Sequence, residues 1–230
     1  MNELLRGSLL PLLLTFAGFQ LGLFCQKKFR SPIFNPILIA AVFVLLFLRL
    51  TGLEVGDYRA GCDKISWLLT PATIALAVPL YEQFRVLKKE LWAVFAGIAA
   101  GVAACLLFIV GFAALVGFDR VLTISLLPKS VTTAIGVPLS ELSGGLSSLT
   151  AAAIVLTGIP TNVFGPYLFR LFRLRSSVAQ GVALGTAGHV IATSRANELS
   201  PLIGAVSSLS LITAGLLTAV VFPLAVKLIP

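Results

Sequence analysis

The 230-residue sequence predicts an all-α polytopic membrane protein with about 6–8 membrane segments, interrupted or re-entrant helices and an internal repeat. Three observations carry this prediction. Mean hydropathy is +1.03, with 58% hydrophobic and 11% charged residues, far from the balance of a soluble domain. Residues 33–50, 91–116 and 201–226 are long stretches with almost no charge, and a bilayer core takes about 20 apolar residues per helix. Other apolar stretches are interrupted by Pro, Gly and hydroxyl residues beside single ionisable groups. No long polar segment provides a separate soluble domain, so residues 1–230 are read as one integral membrane domain.

Eight apolar segments follow in order, at 8–26, 33–50, 65–82, 90–116, 121–141, 146–169, 177–197 and 201–228. The first resembles a signal peptide only superficially. Its leading charges are Arg6 and Glu3, its apolar run exceeds a typical signal core, and no small-x-small cleavage site follows,. It is expected to be the first membrane helix. The second, fourth and eighth are read as full spans. The third, fifth and seventh are short and rich in Thr, Ser, Gly and Pro. LLTPATIALAVPLYE (68–82) aligns with LPKSVTTAIGVPLSE (127–141) at an offset of 59, with seven of fifteen positions identical. Secondary transporters are often built from such repeats, with interrupted helices at corresponding places.

The net charge of +8 does not mark a nucleic-acid binder. The cations fall in short clusters, Lys27–Lys28–Arg30, Arg85–Lys88–Lys89 and Arg170–Arg173–Arg175, as loop anchors do under the positive-inside rule,. If all eight segments crossed, the 170–175 cluster would lie opposite the other two. One segment between 90 and 169 must therefore return to its own side. The fifth, with Pro128, Lys129 and Pro138, is the natural choice, entering from outside. The seventh either dips in from the cytoplasmic side or crosses as a broken helix. Two such segments from opposite faces would meet near the midplane. The loop charges place the N-terminus outside.

The nine Asp and Glu residues all lie near segment ends or in loops, which disfavours a cation antiporter built on a buried carboxylate. The polar groups inside segments are Lys129, His189 and hydroxyls. An ionisable group in a membrane is costly and marks a functional site by default. A cation, hydroxyl donors and broken helix ends suit an anion. Lys129 would supply charge, and Ser130, Thr132 and Thr133 directed hydrogen bonds. The competing reading is a lysine that snorkels to an interface, with its hydroxyls bonded to backbone. His189 is either a packing residue or a substrate and proton-coupling group, given its ordinary pKa near 6.5. Thr186, Thr193 and Ser194 would share its lining. Thr73 matches Thr132 in the repeat. Asn162 and Asn35 read as caps or kinks. Arg195 and Glu198 read as a local pair. Cys25, Cys62 and Cys105 lack metal or disulfide spacing,. No nucleophile–base–acid set and no phosphate-binding loop appears, so no catalytic residues, metal, cofactor or enzyme activity is expected.

PATIALAVPLY (71–81), LPKSVTT (127–133) and GVALGTAGHVIATSRANEL (181–199) resemble the LrgB/CidB family of bacterial membrane proteins, from about residue 8 to the C-terminus. Departures are Thr70 before Pro-Ala-Thr, Ala134 after the Thr pair, and Ala192. The family includes the LrgB-like half of the plastid glycolate/glycerate transporter. It also includes antiholin-like regulators of murein hydrolase activity and cell lysis, with some members linked to pyruvate. The resemblance implies a multi-pass protein of the bacterial cytoplasmic (inner) membrane, acting with a small LrgA/CidA-like membrane partner or as a homo-oligomer. The first functional expectation is a transporter or exporter of small monocarboxylates of the glycolate, glycerate, lactate or pyruvate class. Substrate would be bound by Lys129, Ser130, Thr132, Thr133, Thr73, His189 and Thr193. The alternative is the antiholin-like regulator.

Overall fold

The computed structural model describes residues 9–29, 34, 36–68, 71, 74, 81 and 84–229, and each described element is a helix. The chain divides into two compact units, Met1–Ala75 and Leu76–Pro230.

In the first unit, α1 (Leu10–Phe29) packs against α2 (Pro36–Thr51) around Leu14, Val44 and Leu48. The second apolar segment, expected as a full span, forms this 16-residue helix. Proline opens it, and Gly52, in the left-handed region at φ 66°, follows its end. A third helix, α3 (Val55–Ser66), was not evident from hydropathy because its composition is largely polar. It docks through Gly61 onto Pro11 and through the Tyr58 hydroxyl, 2.7 Å from Thr15 Oγ1. Thr15 in turn donates to the Pro11 carbonyl. Thr73, most of the third segment and the first copy of the repeat lie outside the described residues.

The second unit contains α4 (Phe84–Val116), α5 (Arg120–Leu126), α6 (Thr133–Leu142), α7 (Ser147–Leu171), α8 (Ser177–Leu199) and α9 (Pro201–Lys227). Leu91–Val116, Ser147–Leu171 and Pro201–Lys227 are long and apolar enough to cross a membrane. One face of α4 (Val94, Ile98, Val102, Leu106, Ile109) is buried in a core shared with Ala205, Val206, Ala214 and Phe222 of α9. Trp92, Leu107, Phe108 and Leu115 of α4 are exposed. An apolar helix with an exposed apolar side is what a lipid environment selects.

The fifth segment is two short helices joined by an irregular turn at 127–132. Asp119 caps α5 by accepting from Leu122 N at 2.6 Å. Arg120 Nη1 donates to the Ile229 carbonyl at the end of α9, at 2.6 Å. The turn reaches Thr218 of α9, and Ile135 lies against Gly215. Going on, α6 runs back along the start of α7: Gly136 meets Ile154, and Ser140 meets Thr150. The chain therefore returns to the end of the unit from which α5 left. Thr150 Oγ1 pins the return, 2.9 Å from the Ser125 carbonyl and 2.7 Å from Ser140 Oγ.

The seventh segment is a second hairpin, entering from the opposite end. The helix α8 is broken at His189, whose backbone takes φ 43°, ψ −138°. Before the break, Gly181 lies against Val206 and Gly185 against Ser210, so this half runs parallel to α9. After it, Thr193 meets Ser207 and Asn197 meets Gly204, so this half runs antiparallel. Leu184, Ala192 and Ala196 share one buried cluster. In a straight helix Leu184 and Ala196 would be about 18 Å apart.

His189 at the tip is held against the middle of α7. Its Nε2 is 3.0 Å from the Ile154 carbonyl, which only accepts, so Nε2 carries the hydrogen,. A Cβ on Gly158 would stand 2.9 Å from this ring, so the site admits glycine only. Gly158→Ala is therefore expected to destabilise the protein by about 1–3 kcal/mol through overpacking. Gly111→Ala, with open space around its Cβ position, should be neutral or stabilising by up to about 1 kcal/mol. Thermal unfolding of the two variants in detergent checks the contrast.

Candidate functional site

The tip of the first hairpin, the entering half of α8, Thr157 and Thr161 of α7 and the small-residue face of α4 line an open cavity of about 940 Å³. Ala93, Gly97, Gly101 and Ala104 recur along α4 near helical spacing and leave the volume open,. The cavity extends from Leu174 and Ser176, beside the start of α8, to Lys129 and Ser130 on the 127–132 turn. Thr157, Thr161, Thr186 and Cys105 supply the remaining polar lining.

Lys129 is half-buried and donates to Ser130 Oγ at 3.3 Å. Among the described residues the one ion pair is Arg195–Glu198, at 2.5 Å, so no described carboxylate neutralises Lys129. Ser130 Oγ also lies 3.2 Å from the free thiol of Cys105. Thr157 donates its hydroxyl hydrogen to the Ala153 carbonyl and Thr161 donates to that of Thr157, both at 2.8 Å. Their oxygens therefore offer only lone pairs to the cavity. Thr186 is 7% exposed, and its Oγ1 has no hydrogen-bond partner. A buried hydroxyl without a partner is costly; this oxygen is itself covered, and the Thr186 methyl carbon lies towards Gly101 of α4. The lining thus combines a cation and two acceptor oxygens within largely apolar walls. Such a set suits a small organic anion that also carries a polar group.

The residues singled out in the sequence separate into two groups. Lys129 and Ser130 line the cavity, with Thr186 opposite. Thr132 occupies the N-cap position of α6, where its carbonyl accepts from Gly136 N at 2.8 Å. Thr133 is exposed. Neither is among the cavity's lining residues. Thr193 is fully buried, donating to the His189 carbonyl at 2.8 Å and bonded to Ser207 Oγ. His189 is 3% exposed and bonded to α7, within electrostatic range of Lys129. Both therefore lie behind the cavity wall and hold the second hairpin in place.

Two features were not read from the sequence. Thr157 and Thr161, four residues apart on α7, face the cavity; their i, i+4 spacing flanking Gly158 was the available signal,. Asn162 was read as a cap or kink. It donates to the Ile191 carbonyl at 2.6 Å and lies 3.2 Å from Ser194 Oγ, clamping the hairpin just beyond its break.

Cys105 reports on the field in the cavity. With Cys25→Ser and Cys62→Ser in place, an anionic methanethiosulfonate should label Cys105 severalfold faster than a cationic one. Lys129→Gln should abolish that preference. Labelling rates followed by mass spectrometry check this.

The model of the LrgB-like family matches residues 15–228. The chain is similar to the antiholin-like protein LrgB of Bacillus subtilis (strain 168), 33% identical over 219 residues, which are 95% of each chain. No solved structure matches.

Proposed function

The chain belongs to the LrgB-like family, and on that premise we propose that it carries small monocarboxylates, of the glycolate, glycerate, lactate or pyruvate class, across the bacterial cytoplasmic membrane. The observation that carries this reading is Lys129, a cation without a described counter-charge at the inner end of a cavity between two broken hairpins. A charge at membrane depth costs about 2.5–3.5 kcal/mol or more, and an anionic substrate would offset that cost. In this reading α5–α6 and α8 are re-entrant, and α4, α7 and α9 cross.

The ends of the second unit differ in charge. Arg170, Arg173 and Arg175, with the Arg195–Glu198 pair, lie at one end with the start of α4. The other end holds Arg120 and Lys227 with Asp119 and Glu141. The positive-inside rule then makes the first end cytoplasmic, so the cavity extends from the cytoplasmic side towards Lys129. The substrate carboxylate pairs with Lys129. A substrate hydroxyl donates to Thr157 or Thr161. Coupling to a proton, if present, would use the second nitrogen of His189, since the first is committed to Ile154.

A second reading is favoured by the name of the Bacillus relative, which supports it more directly than it supports transport. In that reading the protein is an antiholin-like regulator of murein hydrolase activity and lysis, assembled with a small LrgA/CidA-like membrane partner. The cavity would then serve assembly or gating and would need no substrate.

Uptake of radiolabelled glycolate and pyruvate into proteoliposomes separates the two readings. The expected result is saturable uptake, lost in Lys129→Ala and retained in Thr133→Ala, since Thr133 is exposed outside the cavity. No uptake by folded protein, with or without the small partner, would remove the transport reading and leave the regulator.

A further inference from the structure

The hydrogen-bond donors and acceptors of the Lys129 cavity lie on different walls. At the 127–132 turn, the Lys129 ammonium carries three hydrogens and spends one on Ser130 Oγ, at 3.3 Å,. The remaining hydrogens can face a ligand. On α7 the sense is reversed. Thr157 gives its hydroxyl hydrogen to the Ala153 carbonyl and Thr161 gives its own to the Thr157 carbonyl, both at 2.8 Å. What these two side chains offer the cavity is therefore an acceptor oxygen each,. The Thr161 methyl packs towards Gly188 of α8, which sets the rotamer that keeps its hydroxyl bonded to its own helix. Thr157 adjoins Gly158, which receives the His189 ring, and that ring is within electrostatic range of Lys129. Both walls thus flank the tip of the second hairpin.

These walls define what a ligand must carry. Among the described lining residues there is one cation and no carboxylate, so the site takes one negative charge. The acceptor oxygens favour a second group that donates. An oxo group would set lone pairs against lone pairs, and a methyl group offers no hydrogen bond. An ammonium donates well, but it would add a second positive charge to the cavity with no described lining carboxylate to neutralise it,. A hydroxyl meets both conditions. We propose that the cavity selects hydroxylated short-chain monocarboxylates over their oxo, amino and unsubstituted counterparts, and that Thr157 and Thr161 are the residues that read the hydroxyl. This inference rests on the monocarboxylate reading of the cavity and narrows it: glycolate, glycerate and lactate are favoured, and pyruvate is disfavoured. The discrimination is modest, because each threonine keeps its partner on α7 and is not left unpaired by a ligand without a donor,.

Cys105 gives a readout of occupancy that does not require transport, because its thiol lies 3.2 Å from Ser130 Oγ. In the full-length protein carrying Cys25→Ser and Cys62→Ser, a neutral methanethiosulfonate labels Cys105 while a three-carbon acid is titrated. The acids are lactate, 3-hydroxypropionate, pyruvate, alanine and propionate, and the concentration that halves the labelling rate is read for each. The better-bound hydroxy acid should protect at a concentration about fivefold below that of pyruvate or propionate, the worth of one hydrogen bond, and alanine should be weakest. The double variant Thr157→Val, Thr161→Val should raise the hydroxy-acid value to that of propionate while leaving propionate unchanged. Thr157→Ser with Thr161→Ser should keep the wild-type preference. Equal protection by hydroxy and oxo acids, or a preference for pyruvate, would overturn the selection and leave the monocarboxylate site standing. A preference that survives the double valine variant, or a loss of propionate protection in it, would remove the threonines from this role. No protection by any acid would overturn the monocarboxylate reading itself, and this inference with it.

Discussion

A helix broken inside an apolar bundle leaves backbone N–H and C=O groups without partners, and hydrocarbon offers none. The second unit depends on how that deficit is met at His189. The imidazole spends one nitrogen on the Ile154 carbonyl, and Thr193 spends its hydroxyl on the His189 carbonyl. Asn162 reaches across from α7 to the Ile191 carbonyl. Gly158 clears the space for the ring, and Gly185 brings the entering half of the hairpin against α9. The first hairpin is secured differently, by hydroxyls: Ser125, Ser140 and Thr150 tie its returning helix to the start of α7. Remove these polar anchors and the freed backbone groups have no partner, leaving only apolar packing to hold the hairpins,.

The cavity is a by-product of the same economy. Small residues on α4 leave volume beside the entering half of α8. Thr157 and Thr161 satisfy themselves on their own helix and turn lone pairs outward. Lys129 and Thr186 remain the least satisfied groups in the wall. A binding surface arises where the fold has stopped short of pairing its own polar atoms.

Much of this architecture was legible from composition. Two of the three span-length helices, α4 and α9, follow from uninterrupted apolar length; the second segment, expected to span, forms only the 16-residue α2, while α7, with Pro160 and Pro166 inside it, is span-length without having stood out. The loop charges required a returning segment between 90 and 169, where α5 and α6 lie. Lys129 and Ser130 stood out because a lysine in an oily run is rare. Less was legible where one residue type serves two purposes. Thr132, Thr133 and Thr193 look identical in sequence to Thr157 and Thr161, yet the first group caps, faces outward or anchors. Only the directions of neighbouring helices distinguish them. Asn162 looked like a cap because its partner lies 29 residues away on another hairpin. The polar helix α3 gave no hydropathy signal at all.

Ile154 touches both hairpins. Its side chain is where a Cβ on Gly136 would fall, and its carbonyl holds His189. The first hairpin cannot shift along α7 without pushing on a residue whose other end grips the tip of the second. Any coupling carried by such a contact is reciprocal: were each tip to hold a ligand, each ligand would change the affinity for the other by the same factor. The two halves of the bundle are joined there as the two pans of a balance are joined by its beam.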